Sequence, residues 1–151
     1  MSDLRPCNLA PLRLAPLLPC IFALFWPDFS AQDLASVAVG EVGGSFIWGD
    51  EAEALKWQTW VMWVVRNRWQ KLAPPRPDSG FYGRSPIVPA ASLQAAKEVL
   101  QADTEDDPTG GMLYVLSEQD RQRLRFPAGD VVANGYGCFK LHFYRTWPDH
   151  D

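Results

Sequence analysis

A chain of 151 residues has room for one ordinary domain, and 47% apolar with 21% charged residues describes a globular protein with a real core. The formal net charge of −4 argues against non-specific nucleic-acid binding, which depends on Lys and Arg neutralising phosphates. Three cysteines (Cys7, Cys20 and Cys138) without a C-x-x-C pair, and two histidines, imply neither a zinc site nor a disulfide framework; Cys138 is expected to be a small buried hydrophobe.

Residues 1–29 differ from the rest. Arg5 and Arg13 precede an apolar stretch from Leu14 to Trp26, the order of an export signal or a weak membrane anchor. Pro16, Pro19 and Pro27 break a helix there, and the stretch falls short of the roughly 20 residues a membrane span needs. A disordered leader is the competing reading. Any membrane association is assigned to this segment alone, and residues 30–147 to the folded domain.

Ser30 and Asp33 have the spacing of a capping box, and Leu34, Val37, Ala38 and Val42 follow at helical intervals until Gly43-Gly44 ends the run. Asp50 is a good N-cap for a second helix from Ala52 to about Lys71 that is apolar on several faces and hence buried. Ala73 to Pro89, with five prolines, is a loop; Pro89 then opens a helix to about Ala102 with a stripe of Leu93, Ala96 and Leu100. After an acidic turn and DPTGG come a short strand over Met112–Leu116, a brief helix capped by Ser117 and Asp120, a turn at Asn134-Gly135, and a strand over Cys138–Arg145. In that last strand Phe139, Leu141 and Phe143 alternate with Lys140, His142 and Tyr144. The fold class is α+β, mainly α, with a small antiparallel sheet near the C-terminus.

Glu41 breaks its own pattern. It stands seven residues after Leu34, four after Val37 and three after Ala38, so helical periodicity sets its carboxyl beside the core stripe. Burial disfavours the ionised form, and a carboxylic acid that keeps its proton is what glycosidic cleavage requires. On periodicity alone, a solvated glutamate near a helix end explains the residue as well.

The segments SVAVGEVGG, TWVMWVVRNRW, DPTGGMLYV and HFYR occur in the order and spacing of the SleB-type cell-wall hydrolases, which include spore-cortex-lytic enzymes and prophage proteins, and the resemblance covers Ala31 to Arg145. It implies a fold like that of lysozyme and the lytic transglycosylases. Glu41 is then the acid that protonates the oxygen between N-acetylmuramic acid and N-acetylglucosamine in peptidoglycan, with water or the muramic C6 hydroxyl completing the cleavage. The resemblance implies an enzyme of the cell envelope or of phage lysis whose partner is the glycan strand, with no cofactor. Thr109 and Gly110 are expected to line the sugar groove next to Glu41. Asn67, with Arg68, either orients Glu41 or caps a helix end. Tyr114 stacks on a sugar or fills the core, and His142 and Tyr144 either border the cleft or serve the structure.

A conventional glycosidase uses two carboxylates, and no second one stands out; Asp106 and Asp107 are as well explained by the turn. A mechanism that uses the substrate's own hydroxyl needs one acid. The chain departs from the family in its loop, where GFYGRSPIVP replaces a Gln-Phe-Ser/Thr stretch and offers Phe81, Tyr82 and Arg84 instead. The competing function is a peptidoglycan-binding or phage structural module of the same fold without turnover.

Overall fold

The computed structural model describes residues 29–148, so the segment read as a leader, with Cys7 and Cys20, lies outside the described residues apart from Phe29. Among the described residues four helices come first: α1 (Ala31–Val42), the single turn α2 (Ser45–Trp48), the long α3 (Glu51–Leu72) and α4 (Ala90–Gln101). A short 3-10 turn (Thr104–Asp106) leads to β1 (Tyr114–Ser117), α5 (Glu118–Leu124), β2 (Val131–Asn134) and β3 (Lys140–Tyr144). The three strands form one antiparallel sheet in the order β1-β3-β2, with Tyr114 opposite Tyr144 and Val131 opposite Phe143. Among the described residues no helix is long and apolar enough to cross a membrane.

The helix starts follow from local chemistry. At α1 the Ser30 hydroxyl accepts from the Asp33 amide and the Asp33 carboxylate accepts from the Ser30 amide, so the capping box closes with aspartate in place of glutamate. Asp50 caps α3 through the Glu53 amide at 2.7 Å, and Ser117 caps α5 through that of Asp120 at 3.1 Å.

Helices α1 and α4 pack on α3 and on each other, and β1 also meets α3. Leu34, Val37, Ala38 and Val42 of α1 and Val61, Met62, Val64 and Val65 of α3 are wholly buried. At about 1.5–3 kcal/mol for each large apolar side chain removed from water, this seam dominates the stability of the helical body. Phe143 of β3 joins the sheet to it, stacked on Trp57 at 5.7 Å and edge-on to Trp60 at 5.2 Å.

Three expectations need correction, and one strand goes unpredicted. The buried face of α4 is Ser92, Ala96 and Val99, with Leu93 and Leu100 only half-buried, because Gln58 of α3 draws the Ser92 hydroxyl inward. Strand β2 is not legible, since its VVAN shows no alternation of apolar and polar residues and gains its ladder from β3. Cys138 is exposed, lying in the turn between β2 and β3 rather than in the core. The side chains of β3 alternate between two faces but not in burial: Leu141, His142, Phe143 and Tyr144 are all buried, because α3 covers one face and α5 with the following loop covers the other.

Candidate active site

The last turn of α1 and the loop after α3 meet backbone to backbone. A Cβ on Gly40 would lie 2.3 Å from the Arg84 nitrogen, and one on Gly83 would lie 2.5 Å from the Gly40 carbonyl carbon. Two glycines facing each other therefore permit a contact that any side chain would prevent. The Ser85 amide donates to the Ser36 carbonyl at 3.0 Å and the Ser36 hydroxyl to the Ser85 carbonyl at 2.8 Å, which closes the seam. Its product is the setting of Glu41. Oε1 accepts from the amides of Tyr82 at 2.7 Å and Gly83 at 2.6 Å, while Oε2 takes no part in either bond.

The end of α1 is held from beneath as well. Its orphan carbonyls are satisfied by side chains: Trp48 Nε1 donates to Val42 at 2.9 Å and Gln58 Nε2 to Gly43 at 2.9 Å. Gln58 is buried and also accepts from Ser92 at 2.6 Å, so one amide ties together α1, α3 and α4. Sequence reasoning passed over Gln58; its place three, four and seven residues before the apolar Val61, Met62 and Val65, on their buried face, was the available signal.

Glu41 is half-buried and lines a groove of about 790 Å³. Arg68 of α3, Tyr114 and its neighbours on β1, residues of α5, and Trp147 also line it. Tyr82, whose amide holds Glu41, lines it too and is 93% exposed. Phe81 is buried, and Arg84 is paired with Asp78. Of the three loop residues singled out in the sequence, Tyr82 alone offers an open ring. The groove's other carboxylate is Asp120, tied to Ser117 at 2.9 Å and to Arg123 at 3.1 Å.

Arg68 enters the groove between two rings, its guanidinium carbon 5.3 Å from the centre of Phe81 and 5.4 Å from that of Tyr114. Burial pulls the guanidinium below its ordinary pKa, with the Tyr114 phenol opposing. Tyr114 is half-buried and lines the groove, so it is both a wall residue and a platform for this cation.

The remaining expected site residues lie elsewhere. Thr109 is buried and outside the groove lining; its hydroxyl and amide donate to Asp107 Oδ1 at 2.6 and 2.8 Å. Asn67 does not reach Glu41: its amide nitrogen donates to Asp107 Oδ2 at 2.9 Å and to the Met112 carbonyl at 3.2 Å. With the Gly111 amide also on Asp107 Oδ2, the D-P-T-G-G segment is a self-bonded turn pinned to α3. Gly110 and Gly111 take φ of 63° and 87°, the left-handed region that glycine allows, and Gly110 lies outside the groove lining. The turn launches β1 and so sets the position of Tyr114.

His142 and Tyr144 face away from the groove lining too. His142 Nδ1 accepts from the Gly129 amide at 3.1 Å, so Nε2 carries the proton and donates to Glu118. Tyr144 donates to the Pro127 carbonyl at 2.9 Å, and burial raises its pKa. Glu118, gripped chiefly by Arg121 through two bonds of 2.7 and 3.0 Å and also by Gln122 and His142, is held well below the ordinary carboxylate range. His142 and Tyr144 of β3 thus fasten α5 and its loop to the sheet.

Compared with protein-family models, with curated proteins and with solved structures, the chain finds no match in any of the three.

Proposed function

We propose that this protein cuts the glycan strands of bacterial peptidoglycan, with Glu41 as the acid that protonates the glycosidic oxygen, on a fold of the lysozyme and lytic-transglycosylase kind. One observation carries the reading: Glu41 stands half-buried in the wall of a groove of about 790 Å³, one oxygen anchored by two backbone amides and the other unused by them. An acid so oriented passes its Oε2 proton to the bridging oxygen as the C1–O bond breaks. Water or the muramic C6 hydroxyl then bonds to C1 and returns its own proton to Glu41. Asp120 is already engaged by Ser117 and Arg123, which favours a route needing one carboxylate. Exposed Tyr82 beside the acid supplies an apolar face for a sugar ring.

The reading without turnover has one observation in its favour. Glu41 already has structural work, pinning the 81–85 loop through Oε1.

Glu41→Gln separates the two. Glutamine keeps a carbonyl oxygen for both amides and so preserves the loop, but has no proton of the needed acidity. Purified peptidoglycan treated with wild type should release muropeptides, and the variant should fall by roughly 10²–10⁴-fold. Anhydro ends would mark transglycosylation and reducing ends hydrolysis. A wild type that binds the wall yet releases nothing would leave the binding module as the function.

A further inference from the structure

We propose that Arg68 is a carboxylate-binding clamp of this groove, selecting glycan that carries a free carboxylate; the glycan part of this statement rests on the function proposed above. A guanidinium has five N–H donors and is almost always paired when withdrawn from water. Arg68 is half-buried, and among the described residues its Nε, sealed from solvent, has no acceptor and no carboxylate bridges the group, although Asp120 lines the same groove. Asp120 is committed to Arg123.

The guanidinium is nonetheless held in place. The rings of Phe81 and Tyr114 fix it by stacking, which restrains the group without using its N–H donors. Gly80, at φ 85°, leaves space beside it: a Cβ there would come within 3.2 and 3.3 Å of Nη1 and Nη2. A positioned, partly desolvated cation with no hydrogen bond among the described residues, set in the wall of an open groove, fits an anionic ligand that completes it from outside. Planar bidentate pairing makes carboxylate the matching chemistry. On peptidoglycan that group has two sources, the lactyl carboxylate of a muramic residue without a peptide and the terminal carboxylate of a stem peptide.

The test measures binding calorimetrically on the full chain carrying Glu41→Gln, which keeps the ligands intact. Two pairs are compared: a peptide-free tetrasaccharide of the wall against its lactyl methyl ester, and a peptide-bearing tetrasaccharide against its C-terminal amide. In at least one pair the acid should bind roughly tenfold or more tightly than the neutral form, and which pair responds names the source. Arg68→Gln should erase that preference. Arg68→Lys keeps the charge but loses the planar fork, so it should retain only part of the preference, and it serves if the glutamine variant does not fold. Equal binding of acid and neutral forms in both pairs, or a preference that survives Arg68→Gln, overturns the clamp. If no glycan binds, N-acetyl-D-alanine against its amide is the probe. Arg68-dependent preference for the acid would keep the clamp while the glycan reading fails, and its absence would end both.

Discussion

Replacing Gly83 with alanine tests how Glu41 is held. The added Cβ would lie 2.5 Å from the Gly40 carbonyl carbon, 2.6 Å from the Glu41 nitrogen and 2.8 Å from the Gly40 oxygen, all backbone atoms of a helix. Ordinary contact needs about 3.5 Å, so the loop must recede by roughly 1 Å. That stretches the amide bonds to Glu41, now 2.7 and 2.6 Å, past the length at which they count as hydrogen bonds. Residual overpacking of about 1–3 kcal/mol and the loss of two partly exposed bonds of about 0.5 kcal/mol each give about 2–4 kcal/mol against the docked loop. Native-state amide exchange at Tyr82 and Gly83 should then accelerate by roughly 30- to 700-fold while the amides of α3 change less. Release of muropeptides should fall with it, since the acid is no longer aimed. Unchanged protection at those two amides would refute the account of the seam, and unchanged release would refute its bearing on Glu41.

Gln58→Leu leaves the Gly43 carbonyl and the Ser92 hydroxyl buried without their partner; at about 1–3 kcal/mol for each, the loss should appear as a clearly lowered thermal midpoint. An unchanged midpoint would mean that other groups take over both bonds. Tyr82→Ala removes an exposed ring and should leave stability within about 0.5 kcal/mol of wild type. Its KM should rise by up to roughly tenfold with kcat little altered, as expected when ground and transition states lose the same contact; a fall confined to kcat would contradict the platform role. Glu118 is held below its ordinary pKa chiefly by Arg121, so its contribution to stability is complete above the ordinary glutamate value. The contribution drains away as pH falls from there toward the lowered folded value. Denaturant unfolding across this acid range should show a shallower pH slope for Glu118→Gln than for wild type, and parallel curves would show that the carboxylate is not so engaged.

Much of the scaffold follows from short-range chemistry. Ser30, Asp50 and Ser117 each cap the helix that their spacing predicts, and the 3.6-residue recurrence of Leu34, Val37, Ala38 and Val42 marks the buried stripe of α1. Glu41 could be singled out for the same reason, because a carboxylate beside that stripe violates the pattern around it. Hydrogen bonds within a turn are local too, so a structural reading of Asp107 in DPTGG was within reach.

What lay beyond the sequence depends on which elements meet. His142 and Tyr144 alternate with apolar neighbours as solvent-facing residues would, yet α5 and its loop cover that face of β3 and give both a partner. Thr109 and Asn67 stand near the proposed motifs in the chain but bond to Asp107, since a turn satisfies its own polar groups before it can serve a distant site. Periodicity locates a side chain on its own helix; it carries no information about the loop that will cross it. Only the tertiary contact of Gly40 with Gly83 delivers two amides to Glu41, and only the approach of Phe81 and Tyr114 leaves Arg68 held but unpaired.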